Sequence, residues 1–316
     1  MSEVQSVPYR SRKGGLIFFG LLELALGLLF LLMMLLIFVS AAYAPAQPAM
    51  PVSQMLASSS MYLVGGIILI CLGIGSMLQR RWARDLSLVI GWFWLLLGVF
   101  MTITMAAIVP QFMPESPQMP AGARIFALTC MAMVMAIFGI AVPLALVLFY
   151  RSPNVRATCI AADPVPRWTE RVPLPLLALS LWLAAGAIAV GASSIYGVLP
   201  LPGRIVTGAP AVMVYLAIGL FLLYVAWGMY MRDRLAWWMA LAYGIVMAIY
   251  CVVVFPRIDA QAMTRAMHLP HTPGMPDIGS IYRSPWFFGF LAVIWVAYFG
   301  YLLFVRRYFV TAEAKA

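Results

Sequence analysis

A single carboxylate stands inside an otherwise apolar run. Glu23 lies about eight residues past Gly15, roughly 12 Å along a helix axis at 1.5 Å per residue, and it is the one acidic side chain well inside any membrane-length apolar stretch. Burying such a group in lipid is costly, so an intramembrane carboxylate is a functional candidate by default. Gly20 and Gly27 share its helical stripe, at spacings of three and four, and small residues on one stripe let a second helix come close. The chemistry offered is that of one polar handle for an otherwise apolar ligand. The competing reading is a protonated or hydrogen-bonded Glu that fixes helix packing. The candidate ligand-binding set is Glu23, Gly20, Gly27 and Trp182, the last being the residue that aligns with Glu23 in the internal repeat described below.

A second constellation lies in the longest outer loop, which holds both histidines of the chain. Met267, His268, His271 and Met275 mix imidazole and thioether ligands, a set that suits copper better than zinc or magnesium. A lone HxxH on a proline-broken loop does not fix ligand geometry, so this metal reading is a weak one. Asp259, Asp277 and Ser280 share the loop, but no motif makes them a hydrolytic site. Cys71, Cys130, Cys159 and Cys251 form no CxxC and no outer-loop pair, and are read as small apolar packing residues.

Several chemistries have no residues to carry them. No histidine falls in a membrane-length run, which argues against haem on transmembrane His ligands. The lysines, Lys13 and Lys315, lie at the termini, away from any site for a Schiff base inside a bundle. There is no GxxxxGK[ST], and paired charges of the kind ion-coupled carriers need near the midplane are scarce. The expectation is a protein that is not an enzyme, with no cofactor identified.

These residues must be positioned by membrane helices. With 65% hydrophobic and 9% charged residues, the chain departs far from the roughly 25% charged residues of soluble domains. Continuous apolar runs of about 20 residues, the length a helix needs to cross a bilayer, begin near Gly15, Tyr62, Leu86, Arg124, Leu174, Ala211, Ala236 and Trp286. The run after Met1 is long for a signal peptide, despite Ala42-Tyr43-Ala44, and is read as a retained span. Arginine and lysine distribute fifteen to five between the two sides, which by the positive-inside rule places both termini in the cytoplasm. The net charge of +10 is thus a topology signal rather than a nucleic-acid footprint. A bacterial inner membrane is the expected location. Arg80, Arg81, Arg84, Arg232 and Arg234, in short turns beside the spans, are candidates for lipid head-group contact.

The chain also resembles itself. Residues 62–91 laid on 215–244 match at nine of thirty positions, among them Gly66/Gly219, Gly75/Gly228, Arg81/Arg234 and Gly91/Gly244. Leu22–Gly27 parallels Leu181–Gly186, and Leu148–Arg151 parallels Leu303–Arg306. The expected architecture is all-α, eight transmembrane helices as two parallel-topology four-helix repeats, residues 1–150 and 173–316, joined by a cytoplasmic hinge at 151–172. Pro153, Pro164 and Pro166 argue against a long helix in that hinge, and Pro143 is expected to kink the fourth span. The functional expectation is a non-catalytic subunit or scaffold of a membrane complex, with membrane lipids and other membrane subunits as partners. The alternative is a transporter or binder of a lipid, quinone or pigment between the repeats.

Overall fold

The computed structural model describes residues 10–43, 52–112, 121–267, 279 and 282–313. Eight of the described helices are long and apolar enough to span a membrane, starting at Lys13, Ser59, Arg81, Ile125, Leu174, Ala209, Arg234 and Pro285. These starts fall within a few residues of those read from hydropathy. The chain divides into two compact units, residues 1–33 with 62–171 and residues 34–61 with 172–316.

In the first unit, α1 (Lys13–Tyr43) meets α2 (Val52–Met77) along a glycine seam. A methyl on Gly20 would strike the Gly73 carbonyl at 2.7 Å, and one on Gly27 the Gly66 carbonyl at 2.8 Å. Backbones come this close only where side chains are absent. Helix α2 starts at Val52, ten residues before the apolar run that begins near Tyr62.

Next come α3 (Arg81–Phe112) and a fourth span built from α4 (Ala121–Val134), a π-helical stretch Met135–Ala141 and α5 (Val142–Arg151). The π stretch answers Pro143. That residue has no N–H for the Gly139 carbonyl, and the Val142 N–H reaches back five residues to the Ile137 carbonyl. Gly139 also packs against Gly98 of α3, where no Cβ would fit.

The segment after Arg151 is ordered structure. Pro153 opens α6 (Pro153–Ala162) from its first turn, the one helical position where a missing N–H costs nothing. Helix α6 ties back to the chain start, since the Arg12 N–H donates to Thr158 Oγ1 at 3.1 Å. A 3-10 turn, Trp168–Glu170, follows Pro164 and Pro166.

The second unit holds α7 (Leu174–Ser193), α8 (Ala209–Tyr230), α9 (Arg234–Val254), the short α10 (Ala260–Ala266) and α11 (Pro285–Glu313). Its core is apolar: Leu176, Leu183, Leu222, Val225, Met229 and Val305 are buried together. Between α7 and α8 runs an antiparallel hairpin, β1 (Val198–Leu201) with β2 (Arg204–Thr207), turning at Pro202 and Gly203. Two phenols hold it, Tyr215 donating to the Val198 carbonyl at 3.0 Å and Tyr250 to the Pro200 carbonyl at 2.6 Å.

The turn that follows α2 and the turn that follows α8 have the same geometry at a spacing of 153 residues. Helices end at Met77 and Tyr230 and resume at Arg81 and Arg234. Among the described residues, Gln79 and Arg232 are the non-glycine residues with positive φ, 56° and 61°. Arg80 N–H bonds to the Gly75 carbonyl at 2.9 Å, and Asp233 N–H to that of Gly228 at 2.8 Å. A methyl on Gly75 or on Gly228 would meet the Cβ of Ala83 or Ala236 at the same 2.6 Å.

Candidate functional site

Glu23 is enclosed, with 2% of its surface exposed. Three helices build its surroundings. Gly20 and Gly27 bring α2 against α1, which sets Ser76 beside the carboxylate, and Ser76 Oγ donates to Glu23 Oε2 at 3.1 Å. Tyr150, at the end of α5 and fully buried, donates its phenol to Ser76 Oγ at 2.8 Å. Phe19 and Phe149 flank that phenol, stacked on each other at 4.3 Å. Ser87 of α3 faces Glu23 and Tyr150 as well, with a buried hydroxyl close to both but outside ordinary hydrogen-bond geometry with either.

The polar groups continue toward the end of the unit. The backbone carbonyl of Tyr150 accepts from Arg84 Nε at 3.2 Å, and Arg84 Nη1 donates to Asp85 Oδ1 at 2.8 Å. Asp85 Oδ2 accepts from Thr169 Oγ1 at 3.0 Å, in the 3-10 turn. Arg81 donates from Nε and Nη2 to Glu170 Oε1, at 3.0 and 2.7 Å, and from Nη1 to the Pro164 carbonyl. One run of polar contacts therefore leads from Glu23 through Ser76, Tyr150, Arg84 and Asp85 to Thr169.

Outside the spans, Asp163 is buried and paired with Arg167 four residues on, across the non-helical segment that holds Pro164 and Pro166, at 2.7 and 2.9 Å. Those hydrogen bonds hold the Asp163 carboxyl below the usual carboxylate range and raise the Arg167 guanidinium. Burial pushes the Cys159 thiol up to about 11, so it stays a neutral packing group at ordinary pH.

Of the residues expected to form the ligand site, Glu23, Gly20 and Gly27 come together on α1 in the first unit, and Trp182 belongs to the second. Trp182 lies on α7 and is 54% exposed. The buried stripe of α7, Leu176, Ser180, Leu183 and Ala187, falls 160 residues after the buried stripe Leu16, Gly20, Glu23 and Gly27. On that spacing the place of Glu23 falls to Leu183, which is also buried, one residue beyond the sequence alignment. Ser180 supports this register, since its hydroxyl bonds to the Ala226 carbonyl, 153 residues after Gly73.

Arg81 and Arg84 make internal ion pairs, Arg232 is the positive-φ turn residue, and Arg80 and Arg234 are exposed. Met267 ends α10, whereas His268, His271 and Met275 lie outside the described residues. No group of three or more metal-ligating side chains occurs among the described residues. Ser76, Ser87 and Tyr150 were not legible as partners of Glu23. The one signal that could have found Ser76 is its position three residues beyond Gly73, on the face α2 turns to α1.

Fold and site define the class: an integral, multi-pass, all-α membrane protein. Compared with protein-family models, curated proteins and solved structures, the chain matches none.

Proposed function

We propose that this chain is a non-catalytic subunit or scaffold of a membrane complex, built from two four-helix repeats with both termini in the cytoplasm. The observation that carries the reading is how the polar side chains of the spans are spent. Glu23, Ser76, Tyr150, Arg81, Arg84 and Asp85 all hold elements of the first unit to one another, while large apolar side chains make up the exposed faces of the spans. Such faces suit lipid and the glycine-mediated packing of other subunits. The repeat reading is supported by the shared turn geometry at a spacing of 153 residues, and the orientation by the arginine-rich turns. The test is gentle extraction from native membrane followed by native mass spectrometry. Stoichiometric protein partners are expected; a lone chain carrying one defined apolar ligand overturns the reading.

One observation favours a second reading, a ligand binder that uses Glu23. Glu23, Ser76, Ser87 and Tyr150 correspond in the second unit to Leu183, Met229, Ala240 and Val305, all buried. The same packing problem is thus met with apolar residues, so the fold does not demand the polar cluster, and its cost in lipid asks for a return in function. Under this reading Glu23→Gln alters ligand retention and its pH profile. Unchanged retention in a normally assembled variant removes Glu23 from any such role.

A further inference from the structure

The arginine-rich end of the second unit carries a groove of about 230 Å³ lined by Arg234, Trp237, Trp238, Arg306 and Phe309. We infer that this groove binds the phosphate head group of an anionic phospholipid. Its lining among the described residues is two guanidinium groups and three aromatic rings. Asp233, next in sequence, turns its carboxylate to the Leu235 N–H as the cap of α9. Arg306 is exposed and lies over the Trp237 ring, 5.4 Å from its centroid. The ring is itself fixed, because Trp237 Nε1 donates to the Leu302 carbonyl at 2.9 Å. This arrangement presents a positioned cation rather than a freely waving one.

Place selects the source of the anion. Arg234 opens one span and Arg306 lies three residues before the end of another, so the groove sits where head groups meet helix ends. Trp238 and Leu235 beside it are 58% and 55% exposed and Leu303 is 59% exposed, an apolar surface for the acyl chains below the phosphate. Tryptophan and arginine together are the side chains that favour this layer. The first unit shows that the position takes an anion: 153 residues before Arg234, Arg81 holds the Glu170 carboxylate.

The test is native mass spectrometry of the full chain in detergent, titrated with phosphatidylglycerol, phosphatidylcholine of the same acyl chains, or inorganic phosphate. Phosphatidylglycerol is expected to bind in preference to phosphatidylcholine, with retention falling as salt rises. Arg306→Gln should weaken it about fivefold, the loss expected for one basic residue at an anionic surface, whereas Arg204→Gln on the hairpin should leave it unchanged. Arg306→Lys, which keeps the charge, should recover part of the loss. Equal binding of the two lipids in the unaltered chain overturns the inference, and that arm needs no variant to fold. So does displacement of the lipid by millimolar phosphate, which makes the groove a small-anion site, or unchanged binding in a monodisperse Arg306→Gln protein.

Discussion

Ser76 donates a hydrogen bond to Glu23 and accepts one from Tyr150, so a single hydroxyl joins the carboxylate of α1 to the phenol at the end of α5. Removing either end has a defined cost. Tyr150→Phe keeps the ring between Phe19 and Phe149 and deletes one interhelical hydrogen bond, worth about 0.6 to 1.7 kcal/mol in membrane proteins. Ser76→Ala strips Glu23 and Tyr150 of their shared partner at once and should cost more. Unfolding in mixed micelles, followed by tryptophan fluorescence, ranks the two. A larger loss for Tyr150→Phe than for Ser76→Ala contradicts the central place of Ser76.

Two glycines separate steric from intrinsic effects. Gly98 lies against the backbone of Gly139, where a methyl group has no room, while a Cβ at Gly122 meets nothing within 4 Å. Gly98→Ala should therefore reduce the yield of folded, monodisperse protein severely, since the obstacle is backbone and not a side chain that can rotate away. Gly122→Ala should be neutral or slightly stabilising, as Ala is the better helix former. Size-exclusion profiles of both variants decide the matter.

What could be read from the chain was whatever repeats over short distance. Span positions, the glycine stripe around Glu23 and the arginine turns follow from hydropathy and helical spacing. The partners of Glu23 did not, because Ser76 lies 53 residues from Glu23 and Tyr150 a further 74 from Ser76, and no local period links them. The hairpin carries little sequence signal because its strands are four residues each and the first, Val198–Leu201, is as apolar as the spans beside it. Proline content speaks against a long helix in the hinge but is silent on short elements and on what anchors them. Pro153 begins a helix there, and Glu170 and Thr169 anchor the rest to Arg81 and Asp85.

That anchoring predicts a salt- and charge-dependent hinge. Arg81 and Glu170 pair bidentately with side chains only 13% and 22% exposed, a geometry in which an ion pair contributes more than the usual surface value. Glu170→Gln should raise the rate of limited trypsin cleavage after Arg167 and Arg171 several-fold. High salt should accelerate cleavage of the unaltered protein in the same direction. Equal rates for the two proteins would detach the hinge from Arg81.

Acid should act on Asp163. Its native pKa lies below the ordinary 3.8 because Arg167 donates two hydrogen bonds to it. A depressed carboxyl contributes stability that is fully present above pH 3.8 and is lost as the pH falls through the lower native value. The hinge should thus keep its order on mild acidification and loosen only below that range. The carboxyl carbon shift of ¹³C-labelled aspartate, followed to low pH, should show one resonance titrating below 3.8 that moves to the ordinary midpoint in Arg167→Gln.

Orientation follows from placing one thiol in each kind of connection. Ala161 at the end of α6 and Thr207 at the end of β2 are both exposed. Native Cys159 lies buried with a pKa of about 11, and Cys71 and Cys130 sit within spans, so background labelling by a charged maleimide should be low. In right-side-out vesicles Thr207→Cys should label while Ala161→Cys should not, and in inverted vesicles the pattern should exchange. The arginine-rich end of the first unit, where Arg80, Arg81, Arg84 and Arg151 gather, is the end that the positive-inside rule assigns to the cytoplasm. Labelling of Ala161→Cys from outside would reverse the topology that the charge count assigns.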